Sequence, residues 1–291
     1  MYPNMCASKS GNILKTWKLS KNKCKMGAKK FFKNELQVSM FNLEHESAPD
    51  FYLSCWQKNR SCLPLLFIRG LLCGVNIATV IASMIILTDV LNGFGFWWIY
   101  LTHWGVVANT LTTIFAFGMS LRVYLRGPID STFGLPWYFK LYWFLYNASV
   151  PVALLITIFY WSFISGSEEF MGIDPTLDVF LHAVNSVVML CLLFTTRHPT
   201  RLLHFYHAVI FGVLYLVFCL IYYFAGGLDP NGNVWIYPML DWSNPGPTSI
   251  VVVLVAVGII LLHVLVDLLA LCRNYFSRRY RKDNSSFSVS R

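Results

Sequence analysis

Two side chains able to do nucleophilic and acid–base work stand near the starts of separate apolar segments. Thr102 lies in Tyr100-Leu101-Thr102-His103-Trp104, and His182 lies in a segment that also carries Asp178, Asn185 and Ser186. Asp178 precedes His182 by four residues and Asn185 follows it by three, spacings that put all three on one helix face. In that arrangement Asp178 can hold one ring nitrogen of His182 while the other takes a proton. A threonine hydroxyl becomes a competent nucleophile beside such a base. Counting about 1.5 Å per residue, Thr102 lies roughly 6 Å into its segment and His182 a similar distance into its own. Asn185 is then a candidate donor to a developing oxyanion. Each residue also has a plain structural reading. Threonine in an apolar helix often bonds its own backbone, and a histidine can pack and hydrogen-bond across a bundle. The spacing alone leaves both readings open.

Other polar residues carry less. His103, next to Thr102, points about 100° away around a helix. His198, His204 and His207 lie near Arg197 and Arg201 and read as headgroup contacts, whereas His263 and Asp267, four apart, read as a structural pair. Pro151 follows Asn147 at the spacing that kinks a helix. The aromatic stretch Gly232–Trp242 reads as interfacial packing, or as a lid or anchor. There is no Gly-x-Ser-x-Gly elbow, no Gly-rich phosphate loop, no His-Glu-x-x-His and no metal-ligand spacing, so neither metal nor cofactor is expected. Rings of charge and paired broken helices are also missing, which puts a channel or transporter lowest among the function classes.

The elements that must position these residues are transmembrane helices. Of 291 residues 56% are hydrophobic and only 13% charged, about half the charged share of a soluble domain. A helix needs about 20 apolar residues to span a bilayer, and six segments qualify: 65–87, 98–120, 139–164, 177–196, 203–225 and 250–272. The expected fold is therefore all-α, a polytopic bundle of six transmembrane helices over 64–272. Residues 88–97, 165–176 and 226–249 hold acidic residues and no Lys or Arg. Arg122 and Arg126, Arg197 and Arg201, and the cluster from Arg273 to Lys282 occupy the alternate loops and the C-terminal tail, and eleven Lys or Arg precede residue 64. Basic residues mark the cytosolic side, so both termini are expected there, with Thr102 and His182 near the outer face.

Residues 1–63 read as a flexible cytosolic region without a cleavable leader, and 273–291 as a basic, disordered tail. The Lys18–Lys33 run is either a solvated tail or a patch for anionic lipid. The net charge of +9 comes with no nucleic-acid motif, so the expected partners are membrane lipids and, for a non-enzymatic role, other membrane proteins. The eight cysteines form no disulfide pattern, and Cys272 beside Arg273 is either a palmitoylation site or a plain terminal cysteine. The sequons at Asn59, Asn147 and Asn284 fall in the cytosol or in a span and are expected to stay unmodified. Plasma membrane and endoplasmic reticulum fit equally.

Trp98-Ile99-Tyr100-Leu101-Thr102-His103-Trp104-Gly105 resembles the signature of the rolling stone family, insect membrane proteins linked with myoblast fusion. Leu43–Phe51 and Ser54–Gln57 resemble that family's N-terminal region, and the likeness extends over 41–272. A more distant resemblance is to the androgen-induced/androgen-dependent TFPI-regulating family. Those intramembrane hydrolases use a Thr nucleophile and a His to cleave fatty acid esters of hydroxy fatty acids. Tyr100-Leu101-Thr102 is similar to their Thr context, and His182 ahead of Arg197-His198-Pro199-Thr200-Arg201 is similar to their His. Trp235-Ile236-Tyr237-Pro238-Met239-Leu240 is similar to an element before their last span. The resemblance implies Thr102 as nucleophile and His182 as base, with no cofactor. The rolling stone likeness implies instead a non-enzymatic role in fusion or adhesion.

Overall fold

The computed structural model describes residues 33–59, 61–91, 93–165 and 174–287, with side chains described as far as 281. The chain divides into Met1–Asn42 and Leu43–Arg291. The described part of the first unit contains a short 3-10 turn, Val38–Phe41. Most of the Lys18–Lys33 run lies outside the described residues.

The second unit is a bundle of six long helices: α1 Leu63–Val90, α2 Leu101–Arg126, α3 Trp137–Ile164, α4 Pro175–Thr195, α5 Leu202–Phe224 and α6 Pro245–Phe287. All six are long and apolar enough to cross a membrane. Among the described residues there is no strand, only an isolated bridge between Ser54 and Thr196. This is the architecture lipid demands, because a helix satisfies its own backbone while an open strand edge does not. Local signals set the ends. Pro64 and Pro175 sit in first turns, where a missing N–H costs nothing. The Asp174 carboxylate caps α4 by accepting from the N–H groups of Thr176 and Leu177. Gly127 closes α2 at a φ of 79°, left-handed backbone that glycine adopts without strain.

Helix α3 is the centre of the bundle and packs against α2, α4, α5 and α6. Its middle, residues 146–153, is accordingly buried all round, and Phe139, Tyr142, Trp143, Tyr146, Val150 and Ala153 are fully enclosed. Several buried polar side chains pair across helices. Asn76 donates to Thr113, Thr112 meets Ser149, Asn147 meets His204, and Ser186 donates to the Ala153 carbonyl. In an apolar interior an unpaired polar group would be costly.

Several expectations change. α2 begins at Leu101 rather than 98, because Trp98–Tyr100 form a turn after the short helix Phe94–Trp97 and Tyr100 takes extended backbone. The last part of 1–63 is core, not flexible tail. Ala48, Phe51, Tyr52 and Cys55 are buried. The Phe51 ring stacks on His198 and the Phe51 carbonyl accepts from the buried Arg69 guanidinium at 2.7 Å. Arg197 pairs with Asp50 at 3.0 Å, and Lys140 pairs with Glu44.

The first half of the 273–291 tail is helix as well. Arg273 is buried and donates to the carbonyls of Leu193 and His198, which tethers α6 beyond its apolar run. His198, His204 and His207 are all buried rather than at headgroups. Tyr142 and Asn147 meet His198 and His204, and His207 bonds the His204 carbonyl. Burial, with Arg273 and Arg69 nearby, holds the His198 imidazole well below the usual histidine range. His263 turns Nε2 to the Arg201 carbonyl at 3.0 Å rather than to Asp267.

Candidate functional site

The site forms where the first turn of α2 meets the middle of α4. His182 lies seven residues past Pro175, about 10 Å along the axis, whereas Thr102 is only the second residue of α2. The two still meet, so α2 starts deeper in the bundle than α4. The turn ahead of α2 makes this possible. The Trp97 ring is buried, stacks flat on the His103 imidazole at 4.3 Å and receives the His103 Nδ1 proton on its carbonyl at 2.5 Å. His103 is thus an anchor for the helix start, turned away from Thr102.

Thr102 Oγ1 lies 3.3 Å from His182 Nε2, and His182 Nδ1 lies 2.8 Å from Asp178 Oδ1. With the Nδ1 proton given to the carboxylate, Nε2 is left with a lone pair facing the hydroxyl. His182 is buried, and Asp178 and Thr102 on either side of it are half-buried.

Two irregular turns flank the site. Phe180–Val184 in α4 and Tyr160–Ile164 in α3 are both π-helical, a geometry that recurs at functional sites because it redirects side chains and loosens the carbonyl ladder. His182 and Tyr160 belong to these turns, and their rings stack in parallel, centroids 3.4 Å apart at 4°. The His182 carbonyl accepts from Thr157 Oγ1 at 2.5 Å, and Thr157 also meets Ser186 at 2.6 Å. The imidazole is fixed by Asp178 at one edge, Tyr160 on one face and Thr157 behind its backbone.

From the loop ahead of α6, Tyr237 places its hydroxyl against the start of α2, accepting from the Leu101 N–H at 3.0 Å. Burial pushes this phenol well above the usual tyrosine range, so it stays a neutral donor. Tyr215 donates to the Ile99 carbonyl at 2.7 Å and supports the same turn.

Sequence spacing thus brings together Thr102, His182 and Asp178, and Asn185 goes elsewhere. Asn185 Oδ1 accepts from Asn109 Nδ2, and Asn109 is seven residues, about 10 Å of helix, beyond Thr102. An oxyanion donor must stand about 3 Å from the reacting oxygen, which corrects the oxyanion role read for Asn185. Tyr160 went unread. Tyr237 was read only as part of the aromatic stretch and of the element similar to that of the distant hydrolase family, with no role of its own, since nothing in a one-dimensional pattern ties it to Leu101.

The sequence matches the family described as Protein rolling stone over residues 24–290. It is 32% identical over 232 residues to Protein rolling stone of Drosophila melanogaster, covering 74% of this chain and 80% of the fly protein. No solved structure matches. With the six apolar helices, this similarity makes the chain an integral multi-pass membrane protein.

Proposed function

This chain belongs to the rolling stone family, and from that premise and the site geometry we propose an intramembrane hydrolase of lipid esters with Thr102 as nucleophile. The observation that carries the reading is the continuous relay Thr102 Oγ1–His182 Nε2, His182 Nδ1–Asp178 Oδ1. His182 takes the Thr102 proton as the oxygen attacks the acyl carbonyl. Asp178 orients the ring and stabilises the imidazolium that forms. The Tyr237 hydroxyl, which meets the start of α2 at the Leu101 N–H, is the candidate donor to the developing oxyanion. His182 then returns the proton to the departing alcohol, and water releases the acyl group from Thr102 by the reverse sequence. The more distant resemblance to Thr/His intramembrane hydrolases points to the same pair of residues and to esters of fatty acids as the substrate class.

The site is proposed to lie near the outer face, with both termini cytosolic, since the basic residues gather at the opposite end of the bundle around Arg69, Arg197, Arg201 and Arg273. Epitope tags at the two ends should become accessible together, and only after the plasma membrane is permeabilised. Full-length protein in liposomes should release fatty acid from an ester-linked lipid panel. Thr102→Ala and His182→Ala should each abolish release, and retention of turnover in both variants would remove the reading.

The role in myoblast fusion implied by the family resemblance is the second reading, favoured by the match over nearly the whole chain. The two readings part on one observation. Full rescue of a fusion defect by the Thr102→Ala variant would make chemistry unnecessary to that role.

A further inference from the structure

His182 is held through its backbone as well as its ring, by two hydroxyls to which the proposed chemistry gives no step. Ala153, Thr157 and Tyr160 share one face of α3 by their four- and three-residue spacing. All three touch α4, at His182 or one turn beyond it. The Ala153 carbonyl accepts from Ser186 Oγ at 2.7 Å, Thr157 Oγ1 donates to the His182 carbonyl at 2.5 Å, and the Tyr160 ring stacks on the imidazole. The Thr157 and Ser186 hydroxyl oxygens lie 2.6 Å apart.

Counting protons fixes the direction of these bonds. Each hydroxyl carries one. The Thr157 proton goes to the His182 carbonyl, so toward Ser186 the Thr157 oxygen must accept. The Ser186 proton is then shared between Thr157 Oγ1 and the Ala153 carbonyl, a three-centre bond. Residues 153 and 157, one turn apart on α3, are thereby tied to residues 182 and 186, one turn apart on α4. The tie spans the end of the π turn Phe180–Val184, where the Asn185 N–H reaches five residues back to the Phe180 carbonyl. Such turns are rare within α-helices, so the surroundings must hold this one, and the Thr157 hydroxyl bonds a carbonyl inside it.

We propose that Thr157 is a positioning residue: its hydroxyl, backed by Ser186, holds the π turn of α4 and so sets where His182 Nε2 points. A π turn carries one residue more than the α turn it replaces. Relaxing it to α register would rotate one flank of α4 against the other by about 100°. Asp178 and His182 could not then stay on Thr102 while Ser186 stayed on Ala153. The positioning role rests on the hydrolytic reading; the hold on the turn does not.

The test compares two full-length variants in liposomes. Thr157→Val keeps the shape and drops the hydroxyl, and Thr157→Ser keeps the hydroxyl. Hydrogen–deuterium exchange read by peptide mass spectrometry should quicken roughly tenfold over residues 180–187 in Thr157→Val, the effect of one lost hydrogen bond. It should stay at the wild-type rate there in Thr157→Ser, and over α1, α5 and α6 in both variants. With an ester substrate, Thr157→Val should lower kcat on the order of 10²-fold with KM little changed, and Thr157→Ser should restore it. Unchanged exchange over 180–187 in Thr157→Val, a rise spread evenly over all six helices, a kcat equal to the wild type in Thr157→Val, or a loss that serine does not rescue would overturn the proposal. A wild-type protein that cleaves no ester strikes the hydrolytic reading alone, because exchange still reads the hold on the turn.

Discussion

Replacing Phe51 by alanine asks whether the segment ahead of α1 is part of the folded core. The ring is fully buried and stacks on His198 with centroids 5.2 Å apart. It meets Phe139, Tyr142 and Trp143 edge-on at 5.3, 6.4 and 5.4 Å. Truncating a buried Phe costs about 3–5 kcal/mol, from lost burial and the cavity left behind. With His45 edge-on at 5.8 Å, five ring partners lose their contact together, which places Phe51 in the upper part of that range. Phe67 on α1 is the matched control, the same residue type at 70% exposure on the outside of the bundle. Its truncation should stay within about 0.5 kcal/mol. Thermal unfolding of both variants in one detergent reads the difference. At roughly 2–4 °C per kcal/mol for a chain of this size, Phe51→Ala should lower Tm by about 10 °C and Phe67→Ala hardly at all. Equal shifts would refute the claim that this segment is core.

Two other outcomes follow from the geometry. Asp178→Asn keeps the shape but can donate to His182 Nδ1, which moves the ring proton to Nε2 and removes the base facing Thr102. Ester turnover in liposomes should fall on the order of 10²–10⁴-fold with little change in Tm. The Cys55 thiol is buried against the Phe194 carbonyl, and burial pushes its pKa up against the pull of Arg273, Arg281 and Arg197. Because the thiolate is the reacting form, maleimide labelling of Cys55, followed by peptide mass spectrometry, should be slow at neutral pH, should rise at a higher pH than for a free thiol, and should quicken in Phe51→Ala.

The spans were legible because lipid imposes a length and a polarity on every crossing, and Arg122, Arg126, Arg197 and Arg201 alternate with acidic loops. Asp178 and His182 were legible because the four-residue spacing survives the π turn between them. Asn185 was misread because a helix face tells where a side chain points but not which neighbour stands opposite, and here Asn109 does. Tyr160 and Tyr237 reach the site from α3 and from the loop before α6, a convergence that only packing decides. His198, His204 and His207 were drawn toward headgroups by the adjacent arginines, yet aromatic rings from α3 enclose them. The composition of 273–291 suggested disorder. One buried guanidinium on the Leu193 and His198 carbonyls was enough to hold its first part as helix.

The nucleophile can be caught directly. Membranes carrying the full-length protein, treated with a fluorophosphonate probe and digested for peptide mass spectrometry, should show the adduct on Thr102, with loss of the adduct in His182→Ala. An adduct on another residue, or a Thr102 adduct that persists undiminished in His182→Ala, would contradict the relay.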